Sequence, residues 1–182
     1  MTMAAVDIAP VRHPLPRSLP GAAQLADLGP VLCVWRSDLG GELDGWACAR
    51  SAHAGAFLHA EGVLEWIVFR DPLTRACWRL YRMPDTDADA WQRVSRRLTC
   101  DGDGLSAASQ RCPLWSKLCR HVAGERWCSS VLDFHAAWID GQRTLGATLR
   151  IASAHALPTV AQALRHAGSR STLTDVAHPP PG

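Results

Sequence analysis

VLEWIVFRDPLTRACWRLYRMPDTDADAWQRVSRRL, residues Val63 to Leu98, decides the fold. Two runs rich in Trp, Ile, Val, Phe and Leu, Val63 to Arg70 and Arg75 to Arg82, flank the turn-forming Asp71-Pro72-Leu73-Thr74, which predicts an antiparallel hairpin. Met83-Pro84 stops the second strand. Asp85, Thr86 and Asp87 then offer N-caps to a segment whose apolar Ala90, Trp91, Val94 and Leu98 recur at helical spacing. A helix therefore follows the hairpin directly.

Alternation divides the hairpin into two faces. With Arg70 opposite Arg75, Ile67, Phe69, Ala76, Trp78 and Leu80 form a core face. Leu64, Trp66, Val68, Cys77, Arg79 and Tyr81 form the other, with Trp66 expected opposite Arg79, where a guanidinium on an indole is worth about 0.5 to 1 kcal/mol. That second face suits a flat ligand with acidic arms, and it suits equally a sheet surface packed under a loop.

The 182 residues, 47% apolar, predict one soluble α+β domain over 19–168, between disordered segments at 1–18, with three prolines, and at 169–182. Net charge is +2, with 18 Arg and one Lys, so no strong polyanion field is expected and nucleic acid is excluded as a partner. No apolar run reaches the ~18 to 20 residues of a membrane span, and the first thirty residues carry no signal pattern; the expected location is the cytoplasm. Seven cysteines without a CxxC pair indicate reduced thiols, not a disulfide framework. There is no GxSxG, GxxxxGK[ST] or GxGxxG.

Outward from the organising stretch, Pro20 to Leu28 fits a short helix capped by Gly29, and Val31 to Arg36 a strand. Asp38 to Gly45 reads as a loop, Gly45 to Arg50 as a second strand, and Ala52 to Glu61 as either helix or strand. Thr99 to Gln110 is the best candidate for a mobile loop, and Pro113 opens a helix toward Gly124. Val131 to Ile139 and Arg143 to Ala152 make a second hairpin about Asp140-Gly141, the strongest two-residue turn signal in the chain. Its predicted register pairs Ile139 with Gln142, Phe134 with Ala147, Leu132 with Leu149 and His135 with Gly146. A last helix runs from about Leu157 to Ala167. The fold class is α+β, antiparallel sheets built from two hairpins with flanking helices.

Leu28-Gly29-Pro30-Val31-Leu32-Cys33-Val34-Trp35-Arg36 resembles the opening strand of the haemin-uptake and haemin-degrading proteins of Gram-negative bacteria, typically LG-x-V-x-A-L-T-R. Phe69-Arg70-Asp71, Leu80-Tyr81, Asp85 and Ala90-Trp91 are similar to that family's hairpin and following helix. The likeness covers residues 25–98; Trp35 and Arg79 depart from the family's usual types. It implies a cytoplasmic haem-binding protein of iron acquisition with stacked antiparallel sheets. Members this short are similar to one half of longer two-repeat proteins, which implies a homodimer.

Haem needs an axial donor, an apolar slot and cations for its propionates. His135 is the bottom-up ligand candidate, because Gly146 opposite it leaves room for a ring. His59 is the candidate by resemblance, since relatives carry a Trp/His-rich segment just before the hairpin. Trp66 and Tyr81 supply the flat surface, and Arg75 and Arg79 the carboxylate partners. An ordinary surface histidine or solvated arginine is the competing reading of each. Cys112-Pro113 matches the short thiolate haem-regulatory signature, but Pro113 as a helix start explains it better. A haem carrier is preferred over a haem-degrading enzyme. The alternatives are a ligand-free interaction module using exposed Trp and Arg, and a zinc site from Cys112, Cys119, His121 and Cys128.

Overall fold

The uninterrupted apolar run Val31 to Trp35 belongs in the middle of a sheet, since no face of it is polar, and that is where it lies. The computed structural model describes residues 7–11, 19–59, 62–100, 127–139 and 142–167. Six strands, β2 (Pro30–Arg36), β3 (Ser51–His59), β4 (Gly62–Arg70), β5 (Ala76–Arg82), β6 (Trp127–Ile139) and β7 (Gln142–Arg150), form one antiparallel sheet. A short strand β1 (Asp7–Val11) joins its edge, giving the order β1-β7-β6-β2-β5-β4-β3. The expectation of stacked sheets is corrected: both hairpins lie side by side in a single sheet, joined through β2, which pairs with β5 on one side and β6 on the other.

Helices cover both faces. On the first, α1 (Ala22–Ala26), α2 (Asp44–Cys48) and α3 (Ala88–Cys100) enclose a core that includes Val31, Cys33, Trp35, Phe69, Trp78 and Phe134. The α3 stripe is the predicted one, with Ala90, Trp91, Val94 and Leu98 buried, and Asp87 caps the helix by accepting the Ala90 N–H at 2.7 Å. On the second face, α4 (Leu157–Ala167) lays Val160, Ala163, Leu164 and Ala167 against Leu32, Val34, Leu64 and Tyr81. Among the described residues no helix is long and apolar enough to cross a membrane.

The second hairpin has its predicted register, including His135 opposite Gly146. The first is shifted by two residues: Trp66 stands opposite Tyr81 and Arg79 opposite Val68, so the expected Trp66–Arg79 pairing does not form. A bulge between Phe69 and Arg70 absorbs one residue of β5 near Cys77. Beyond it the alternation of β5 is reset, so Cys77 joins Trp78 on the first face and Ala76 turns to the second. Both are exchanges from the simple alternating assignment.

Two segments differ from expectation for identifiable reasons, and one left open is resolved. Gly45 to Arg50 begins as the helix α2, because Trp46 anchors it by donating Nε1–H to the Pro20 carbonyl at 3.3 Å. Ala52 to His59, ambiguous by pattern, is strand. Asp7–Val11 pairs with β7 despite Pro10; it is an edge strand, and its register breaks between Ile8 and Val11, where a missing N–H is tolerated. The loop predicted over Thr99 to Gln110 starts inside α3, which runs on to Cys100, and the rest of it, with the helix predicted from Pro113 toward Gly124, lies outside the described residues.

Candidate functional site

Strand parity and the α4 contact together assemble a cluster on the second face. β4 supplies Trp66, β5 supplies Tyr81 and Arg79, and the last turn of α4 brings His166 over them. The Tyr81 hydroxyl and His166 Nδ1 are 3.2 Å apart. The imidazole stacks on Trp66, with centroids 6.1 Å apart and planes at 26°, and meets Tyr81 edge-on at 5.9 Å and Phe57 at 6.2 Å. Tyr81 is fully buried and Trp66 half-buried, while His166 is exposed, so the cluster opens to solvent on the imidazole side.

Trp66 reaches this position because β3 carries a glycine beneath it. A Cβ on Gly55 would lie 2.3 Å from the indole, so the ring lies flat over Gly55 with its other side toward His166.

Beside the aromatic group sits a row of cations. The Arg79 guanidinium lies 4.5 Å from the Trp127 ring centroid and donates from NH1 to the Ala167 carbonyl at 3.1 Å. Its Nε and the Trp127 Nε1 are buried donors without a hydrogen-bond partner among the described residues. Arg70 donates Nε–H to His53 Nε2 at 3.0 Å and NH1 to the Thr74 carbonyl at 2.8 Å. Burial, and then the like charge of Arg79, hold the Arg70 guanidinium below its ordinary pKa. Neither Arg70 nor Arg79 has a carboxylate partner among the described residues, whereas Arg36, Arg75, Arg82 and Arg150 each do. Two uncompensated guanidiniums next to orphaned donors form a surface suited to an anion.

The other candidates are placed elsewhere. The His135 ring lies over Gly146, where a Cβ would meet Nε2 at 2.3 Å, so the space left by the glycine is filled by the imidazole itself. Arg75 closes the first hairpin's turn and pairs with Asp71 at 2.9 Å. His59 ends β3 opposite Gly62, and its side chain lies outside what is described. Cys112, Cys119 and His121 also fall outside the described residues, and among those described no group of three or more His, Cys, Asp or Glu is arranged to hold a metal ion.

The structure thus brings Trp66, Tyr81 and Arg79 to one face and adds His166, His53 and Trp127, which sequence reasoning did not select. His166 stands 85 residues from Tyr81 and carries no local signal of that meeting. No protein-family model, curated protein or solved structure matches this chain. The site is therefore read from its own chemistry.

Proposed function

We propose that this protein binds haem in the cytoplasm and serves haem utilisation as a carrier. The observation that carries the reading is the meeting of His166, Tyr81 and Trp66 on a solvent-open face flanked by Arg79 and Arg70. Imidazole and phenolate are both donors that haem iron accepts, and the two arginines match the acidic arms of the macrocycle. With its proton on Nδ1, His166 donates to the Tyr81 oxygen, the kind of outer hydrogen bond that fixes a ligand imidazole's tautomer. Bound haem would supply the iron coordination chemistry. The chain's own residues orient the imidazole, offer an indole surface and balance carboxylate charge. The resemblance over residues 25–98 adds to this reading.

Assembly as a two-fold dimer goes with the proposal. Edge strand β3 shows Phe57 at 51% and Leu58 at 78% exposure, and a second copy is a cheap cover for such an edge. The same apolar tip, with Val63, favours the second reading, a ligand-free interaction module. Titrating the purified chain with haemin separates the two. A saturable Soret shift at micromolar protein supports haem binding, and its absence would leave the interaction module.

A further inference from the structure

Away from the second face, two thiols converge on one carbonyl. Cys48, the last residue of α2, donates to the Gly45 oxygen at 3.4 Å, and Cys77, in the β5 bulge, donates to the same oxygen at 3.2 Å. Cys77 also reaches the Phe69 carbonyl at 3.4 Å. The approach is enforced by backbone. A Cβ on Gly45 would lie 2.8 Å from the Cys77 carbonyl and 2.9 Å from the Trp78 Cβ, so α2 rests on β5 as closely as a glycine permits. The bulge completes the arrangement, since without it Cys77 would point to the opposite face of the sheet.

We propose that Cys48 and Cys77 are a reversible oxidation site, closing to an intramolecular disulfide when the protein meets a hydroperoxide. Cys48 is partly exposed and Cys77 fully buried, which orders the chemistry. The Cys48 thiolate attacks the peroxide oxygen, the O–O bond breaks, and the sulfenic acid forms with release of an alcohol or water. The Cys77 sulfur then displaces the sulfenic oxygen, which leaves as water with the Cys77 proton, and the S–S bond forms. Two thiols lose two electrons in all, and the hydroperoxide gains them. Burial, then the neighbouring Cys48, push the Cys77 thiol well above its ordinary pKa, so Cys77 is not the thiol that meets the oxidant first, and its part as the resolving sulfur rests on its proximity to Cys48. The bond would tie α2 to β5 around the whole β3–β4 hairpin, and the pair is independent of any haem site.

The test is stoichiometric hydrogen peroxide on the reduced full chain, followed by alkylation and peptide mapping. A linked peptide containing Cys48 and Cys77, removed by dithiothreitol, is expected, with the melting temperature of the oxidised protein raised by several degrees because the unfolded chain is constrained. Cys48→Ser should abolish both effects without unfolding the protein, because the residue sits at a partly exposed helix end. A Cys100→Ser/Cys112→Ser/Cys119→Ser background should still give the linked peptide. Oxidation of Cys48 to sulfinic acid with the Cys77 thiol intact, or a disulfide joining either residue to another cysteine, would overturn the proposal.

Discussion

The indole of Trp66 lies across Gly55 so closely that a single added methyl would enter its ring, 2.3 Å from the nearest carbon. This glycine on the edge strand lets a bulky residue of the neighbouring strand lie down instead of standing up, and His166 then stacks on the exposed side. Gly55→Ala should therefore act as an overpacking substitution. The expected cost is about 1 to 3 kcal/mol in urea denaturation, accompanied by changed tryptophan emission as Trp66 is lifted from the strand. Unchanged stability and unchanged emission would mean that Trp66 has another position at no cost.

The turn of the first hairpin depends on one carboxylate. Asp71 Oδ1 accepts from the backbone N–H groups of Leu73 and Arg75, each at 2.9 Å, and Oδ2 takes the Arg75 Nε–H at 2.9 Å. Burial works against the charged form, but these bonds and the Arg75 charge outweigh it and hold the Asp71 carboxyl below its ordinary range. Asp71→Ala, which orphans the donors, should cost about 1 to 3 kcal/mol. Asp71→Asn keeps an acceptor for the backbone and loses mainly an ion pair with an exposed arginine, so its cost should be about 1 kcal/mol or less. Because the folded-state pKa is depressed, the contribution is complete above the ordinary value of 3.8 and disappears as pH falls below it through the folded value. Equal losses for the two variants would show that the charge, and not the turn geometry, is what matters.

His53 gives the opposite end of the pH scale a marker. Burial first, and then the Arg70 charge, lower its pKa from 6.5, and its Nε2 already accepts the Arg70 Nε–H. The unfolded chain therefore binds this proton more readily than the folded one. Stability should be at its full value above pH 6.5 and fall as pH drops from there toward the depressed folded value. Replacing His53 by Gln, which can still accept from Arg70, should flatten the stability profile in that window while leaving the Asp71 limb near pH 3.8 and below in place. Identical slopes for parent and His53→Gln through pH 6 would remove His53 from the linkage.

What could be read from sequence follows the range over which each feature is determined. The Asp140-Gly141 turn fixes its hairpin within a few residues, and so the pairing of His135 with Gly146 was legible. The first hairpin turns through a longer loop held by the Asp71 side chain, and the loop and the bulge each move the pairing by one residue. An even shift preserves faces, which is why Trp66, Tyr81 and Arg79 still share one, while their neighbours differ from expectation. Gly45 and Trp46 were read as strand because the features that make them helix, the close contact with Cys77 and the bond to Pro20, are tertiary. His166 was missed for the same reason.

The histidines offer the sharpest test of the haem proposal. Three imidazoles compete: His166, set against Tyr81 and Trp66; His135, whose ring lies on Gly146; and His59, at the end of edge strand β3. Ligation through His166 predicts that His166→Ala moves the Soret maximum and weakens haemin binding, while His135→Ala and His59→Ala leave both unaltered. Tyr81→Phe separates ligation from packing, because it removes the hydroxyl that meets His166 and keeps the ring. A metal ligand deprived of such an outer hydrogen bond loses about ten- to a hundredfold in affinity, so Tyr81→Phe should weaken haemin by at least the lower figure while the Soret position stays near the parent's. Arg79→Gln should reduce affinity without moving the band, since a propionate partner does not touch the iron. Spectra of His166→Ala that superimpose on the parent would remove His166 as the ligand even if haemin binds, and a band moved only by His59→Ala would return the iron to the tip of the β3–β4 hairpin.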